Sequence, residues 1–326
     1  MDINLPLVSI VIPVFNRQNY IDDCIQSCLD QTYSNIEIVI YDNCSNDKTF
    51  LIAKGYEQKN NNVRVYKQEK NVGPVLNWLS AIKVANGKYL KILFSDDIIY
   101  PNFISETLSK FSSEIGFVIS SFNMGENEKD SIIQNDWHGI DGEIDSNRYI
   151  HCAIKKFAFC VSPGAALYRT KDVLEVFEIE IASPTLKNFK SHGAGPDLLI
   201  YLKIAVRYKK IYKINRSLTF FRYHKNSQTI KMNRSNNGLI QSCYMQARVY
   251  FCENYYKKLF GQSLGKALFV ELLQNRKISC INVIYLTKLY TLSNEFSLNQ
   301  LVVGFLNAVK YATLEISRRL FYKMRY

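Results

Sequence analysis

Residues 89–97 read YLKILFSDD, a short and mostly apolar run that ends directly on Ser95 and two adjacent aspartates, Asp96 and Asp97. A run of this length between polar neighbours reads as a strand. The aspartates then stand at its carboxyl end. Working back, residues 74–85 carry apolar side chains at helical spacing and stop at Asn86-Gly87, a strand is expected at 63–67, and a helix at 49–58. A polar turn at 42–48 comes after the strand IEIVIY at 36–41. Before it, Ile21, Cys24, Ile25, Cys28 and Leu29 mark a helix within 20–31, and LVSIVIPVF at 7–15 is a strand buried on both faces. Strands alternating with helices in this way predict an α/β fold, a mostly parallel sheet with crossover helices on both faces. Ligands of such sheets bind at the carboxyl ends of the strands.

Beyond residue 115 the alternation weakens. The stretch 123–147 is polar and reads as a loop or insertion, and the apolar run 157–167 is interrupted by Pro163 and Gly164. A helix at 197–208 and a strand at 211–222 come next, and the pattern is helical from 238 onward. Two domains are expected, an α/β domain over 1–230 and a basic helical domain over 231–326.

The chain has 326 residues, 47% hydrophobic, which is enough for one large core with a smaller addition. Its net charge of +12 is unevenly placed: residues 201–326 hold 22 Lys and Arg against 4 Asp and Glu, and the first 200 residues have a net charge of −6. An acidic N-terminal part that handles a phosphate-bearing ligand calls for a bound cation, while the basic part suits an anionic lipid or pyrophosphate. Nucleic acid is disfavoured, because the basic residues form no helix-turn-helix, zinc or RNA-platform motif and the acidic part opposes a phosphate backbone. The eight cysteines form no C-x-x-C pair and no zinc cluster, so reduced buried thiols are expected. The first residues lack the features of a signal peptide, and no window of about 20 apolar residues spans a bilayer. A cytoplasmic protein, peripheral on the inner membrane face, is the expectation.

Three acidic clusters fall where strands end or helices begin: Asp42, the pair Asp96 and Asp97, and Asp197. Any one could be a helix cap or turn former. Adjacent aspartates in a shared dry pocket repel unless a divalent cation of oxygen preference, Mn²⁺ or Mg²⁺, lies between them.

The segments VSIVIPVFNR (8–17), DQTYSNIEIVIYDNCSNDKT (30–49) and NVGPVLNWLSAIKVANGKYLKILFSDD (71–97), with Pro101, resemble the family 2 glycosyltransferases, whose catalytic domain has the GT-A fold. The resemblance implies roles for individual positions. Pro13, Val14 and Phe15 correspond to the strand and loop that pack on the nucleotide, and Asp42 to the first acidic position of the nucleotide-contact motif. Asn43 stands where a second carboxylate is usual. An amide both donates and accepts, so uracil, thymine and cytosine all remain open. Asp97 corresponds to the metal ligand and Asp96 to its ribose-facing neighbour. Asp197 corresponds to the general base, although Pro196 replaces the usual Glu before it. His224 resembles a histidine near the diphosphate or metal, and Arg222 could pair with phosphate.

The activity implied by the resemblance is that of an inverting, metal-dependent hexosyl- or deoxyhexosyltransferase using a nucleoside-diphosphate sugar donor. The resemblance also points to a saccharide acceptor carried on a polyprenyl pyrophosphate, in O-antigen or capsule synthesis. A catalytically inactive GT-A-like scaffold of a membrane assembly is the alternative. Trp137 is a candidate acceptor platform and Trp78 a core residue, while His138, His151 and His192 read as loop or surface residues. Residues 297–326 form a basic amphipathic helix that either lies on an anionic membrane surface or packs on the rest of the chain.

Overall fold

The computed structural model describes residues 5–134, 139–155, 162–183, 188–224, 227, 239–275, 299, 301–306 and 309. Strands β1 (Val8–Val14), β2 (Ile36–Asp42), β3 (Val63–Lys67) and β4 (Tyr89–Ile92) alternate with helices α1 (Ile21–Leu29), α2 (Thr49–Lys59) and α3 (Pro74–Lys83). The strands lie in the order β3-β2-β1-β4 and every pair among them is parallel. All seven residues of β1 are buried, as a central parallel strand covered on both faces requires. Along it Val11 joins one core cluster, while Val8, Ile10, Ile12 and Val14 join the other. Successive side chains of a strand point to opposite faces, so the sheet divides the interior into two cores.

The chain continues through β5 (Ile98–Ile99), α4 (Phe103–Leu108), β6 (Ile115–Gly125), β7 (Ile132–Gln134), β8 (Gly142–Asp145), α5 (Ser146–Lys155), β9 (Ala166–Arg169), α6 (Thr170–Val176), α7 (Pro196–Arg207) and β10 (Lys210–Arg222). β9 enters antiparallel between β4 and β6, and β10 pairs parallel with β6. The α/β architecture is the expected one, with antiparallel pairs confined to this second half. The expected polar loop at 123–147 instead holds the end of β6, the short strands β7 and β8 and the start of α5. Strands of three and four residues, with Ile132 and Ile133 exposed, carry too little alternation to register as a pattern. Trp137 and His138 lie outside the described residues.

Helices Leu239–Tyr255 and Phe260–Asn275 complete the chain's described core. Cys243, Ala247, Phe251 and Leu264 belong to the same hydrophobic cluster as Phe117, Tyr149 and Leu198. Two basic side chains of this region point inward. Arg248 Nε donates to Ala153 O at 2.8 Å, and Lys266 Nζ donates to Ile154 O and Lys155 O at 3.0 Å each. The last carbonyls of a helix have no intrahelical partner, so these donors cap α5. The expected boundary at 230 falls outside the described residues, as does most of the expected helix at 297–326. In its described part Leu301 is buried and the Phe305 ring meets Phe269 edge-on at 5.4 Å.

Candidate active site

The carboxyl ends of β1, β2 and β4 gather the predicted residues. At the end of β1, Pro13 and Val14 are buried, with Val14 in the core, and Phe15 is exposed. Asp42 closes β2 and has no exposed surface. Its Oδ2 accepts the Ser45 N–H at 2.9 Å, and the Ser45 hydroxyl donates to Oδ1. Ser45 Oγ also accepts the Asn16 N–H at 2.9 Å. Asp42 thereby holds the 43–48 turn, where Cys44 has φ 63°, against the turn after β1, where Asn16 has φ 53°.

Asn43 is 3% exposed and links β2 to the loop before α3. Its Oδ1 accepts the Val72 N–H at 2.9 Å, and its Nδ2 donates to Asn71 Oδ1 at 3.0 Å. A primary amide has two N–H donors and two acceptor lone pairs. One of each is left over among the described residues.

The two aspartates after β4 are treated differently by their surroundings. Asp96 Oδ2 lies 2.9 Å from His224 Nε2 and 3.4 Å from Arg17 Nε. Burial alone raises its pKa, but the His224 hydrogen bond and the Arg17 charge outweigh that and hold the carboxyl below its usual value. Asp97 is buried and its Oδ1 accepts the Arg222 backbone N–H at 3.0 Å. Burial first, and the neighbouring Asp96 charge second, raise its pKa well above the usual value. β10 delivers the other partners: Arg222 Nε donates to Asp96 O at 3.2 Å and Nη2 to Asp23 Oδ2 at 2.9 Å, while the His224 ring stacks on Tyr20 at 4.5 Å. His224 Nδ1 is buried and has no partner among the described residues.

Asp96, Asp97 and His224 are the side chains a divalent cation would use here, although among the described residues no three His, Cys, Asp or Glu side chains are grouped as a metal site. The donors on offer are the buried Asp97 carboxylate, the Asp96 carboxylate beside it and the unpartnered His224 Nδ1. Mg²⁺ in particular takes one or two carboxylates and completes its shell with water and substrate phosphates. Asp97 and His224 are the residues that could hold it.

Asp197 lies in the first turn of α7, behind Pro196 and a Gly195 at φ +112°. Its Oδ1 accepts the N–H groups of Gly195 (2.8 Å) and Leu198 (2.7 Å), and its Oδ2 accepts the Tyr244 hydroxyl at 2.6 Å. Burial pushes its pKa up to about 7, against the lowering effect of these donors and of Arg248. The preceding loop is tied to the rest of the site. Gly193 packs on the Trp78 ring, Trp78 lies 5.3 Å from Phe94, and Lys190 O lies close to Gly73 at the start of α3. Trp78 is a core residue, as expected. His192 sits in this loop, its Nδ1 accepting the Ala194 N–H at 3.2 Å, and His151, on α5, stands edge-on to Tyr256.

Arg17, Tyr20, Asp23 and Tyr244 were not singled out from the sequence. The first three lie just past the end of β1, the edge where the sheet pattern already placed the ligand. Tyr244 carries no local signal, since it is one aromatic among many in a helical stretch.

Residues 9–177, just over half of the chain, match the model of Glycosyl transferase family 2. The chain belongs to this family. Among curated relatives, Glycosyltransferase GlyG of Streptococcus pneumoniae serotype 4 is 34% identical over 151 residues, which is 46% of this chain and 45% of GlyG. TuaG of Bacillus subtilis (strain 168), a candidate teichuronic acid biosynthesis glycosyltransferase, is 38% identical over 92 residues, 28% of this chain and 36% of TuaG. The chain thus spans less than half the length of these relatives. Among solved structures, S. aureus TarS 1-349 in complex with UDP-GlcNAc superposes with a TM-score of 0.66 at 18% identity, covering 96% of this chain and 91% of that one. At that identity the likeness is one of fold, the GT-A fold.

Proposed function

We propose that this family 2 protein is an inverting glycosyltransferase that moves a hexosyl or deoxyhexosyl group from a nucleoside-diphosphate sugar to a saccharide acceptor. The observation that carries this reading is the meeting of β4 and β10, where Asp97 accepts the Arg222 N–H and Asp96 pairs with His224. Supporting it, TarS of the same fold binds UDP-GlcNAc. The nucleotide lies along the ends of β1 and β2, between Phe15 and Asn43, and its diphosphate reaches Asp97, His224 and Arg222. Asp197, ionised, accepts the proton of the acceptor hydroxyl as that oxygen bonds to the anomeric carbon and the bond to the diphosphate breaks. The electron pair of the broken bond leaves with the diphosphate. A bound Mn²⁺ or Mg²⁺ supplies positive charge to that leaving group.

The acceptor we propose is a lipid-linked saccharide of a surface polysaccharide, O-antigen or capsule, reached from the cytoplasmic face. The name of TuaG and the +18 balance of residues 201–326 support it. No helix among the described residues is long and apolar enough to cross a membrane.

The test is to incubate the protein with UDP-, dTDP-, CDP- and GDP-hexoses and Mn²⁺, and to follow nucleoside diphosphate release and product anomeric configuration by NMR. Turnover of one donor class with inversion supports the reading. A folded protein that turns over and binds none is a scaffold instead.

A further inference from the structure

A carboxylate offers about four acceptor positions, two on each oxygen. At Asp197 three are filled among the described residues: Oδ1 takes the Gly195 and Leu198 N–H groups, and Oδ2 takes the Tyr244 hydroxyl. One position remains, on Oδ2, beside that hydroxyl. A general base must offer a free lone pair within hydrogen-bond reach of the proton it accepts, and among the described residues this is the one left open.

Tyr244 is itself held in place. It lies on helix Leu239–Tyr255, beyond the residues 9–177 that define the family match. One turn later on that helix Arg248, 3% exposed, donates through Nη1 to Tyr244 O at 3.1 Å and through Nε to Ala153 O at 2.8 Å. The helix is therefore anchored on α5 at the turn that carries the tyrosine.

We infer that Tyr244 is a positioning residue for the proton-accepting carboxylate: its hydroxyl fixes which lone pair of Asp197 faces the acceptor hydroxyl, and it favours the ionised form. The C-terminal helical region then completes the reacting site rather than only covering it. This inference rests on the reading of Asp197 as the base.

The titratable neighbours are few. Helix Leu239–Tyr255 presents Tyr244, Arg248 and Cys243, and the loop before α7 presents His192, whose Nε2 lies 3.7 Å from Cys243 Sγ, with Glu180 behind it. Burial pushes the Cys243 thiol up to about 12 and the Arg248 guanidinium down to about 10, and it holds His192 below its usual value. Near pH 7 the thiol is neutral and the guanidinium charged. Tyr244, the two backbone N–H groups and Arg248 all lower the Asp197 pKa against burial. Removing the hydroxyl must raise it.

The experiment is ¹³C NMR of protein labelled at the aspartate carboxyl carbon, with the Asp197 signal identified by its loss in Asp197→Asn. In Tyr244→Phe the titration midpoint is expected to rise by about one to two pH units, the effect of one hydrogen bond to a charged group. An unchanged midpoint in folded Tyr244→Phe overturns the role of Tyr244 and leaves the base reading standing. If that variant does not fold, 3-fluorotyrosine at position 244, a stronger donor of nearly the same shape, must lower the midpoint, and no shift overturns the inference. Turnover of nucleoside-diphosphate sugars by Asp197→Asn is measured alongside. Turnover at the wild-type rate would overturn the base reading and this inference with it.

Discussion

The indole of Trp78 occupies the space that a Cβ on Gly193 would need. Gly193 also has φ +77°, a conformation that costs other residues energy. Trp78 touches Phe94 as well, two residues before Asp96. The loop that leads into the Asp197 turn of α7 is thus seated beside the strand end that leads to the aspartate pair. Gly193→Ala is expected to cost about 1–3 kcal/mol from overpacking, read as a lower denaturant midpoint. Adding Trp78→Phe should recover part of that loss, and a double-mutant cycle measures the coupling. A Gly193→Ala midpoint equal to that of the wild type contradicts the packing account.

Asn43 is expected to matter to the fold as well as to the nucleotide. Asn43→Asp keeps the acceptor for Val72 but sets a carboxylate against Asn71 Oδ1, which already accepts the Gly73 N–H at 2.9 Å. Loss of this buried donor should cost about 1–3 kcal/mol at neutral pH. Urea unfolding checks it, and the cost should shrink at a pH low enough to protonate the new carboxyl.

Asp197 ties stability to pH in a definite direction. Its folded value of about 7 lies above its ordinary 3.8, so the folded state binds this proton more tightly than the unfolded chain does. The corresponding stability is fully present below the ordinary value and is lost as pH rises to about 7. Asp197→Asn has no such loss. Its unfolding free energy relative to wild type should improve as pH rises through that window, while turnover falls by about 10²–10⁴-fold. Wild-type turnover should itself rise through pH 7, as the base ionises. Parallel stability curves for the two proteins would contradict the assignment.

The first half of the fold could be read from the chain because its strands are buried on both faces and its helices carry one apolar side. β1 and α1 are clear cases, with Cys24, Ile25 and Cys28 all buried as their spacing predicts. The second half was harder because β7 and β8 are short and partly exposed, and because β9 pairs antiparallel after a long excursion. The aspartates at strand ends were visible since the strands themselves were. Their partners were less so. Arg222 reaches Asp97 and Tyr244 reaches Asp197 through contacts between segments far apart in the chain, which no local pattern encodes.

Asp97 is expected to help hold a divalent cation against a nucleoside diphosphate. Calorimetric titration with UDP-, dTDP-, CDP- and GDP-sugars, with and without Mn²⁺, on wild type and Asp97→Ala tests it most directly. Binding of one nucleotide class that requires Mn²⁺ in the wild type and is lost in a folded Asp97→Ala is the expected result. Binding of equal strength without the metal, or in the variant, would contradict it.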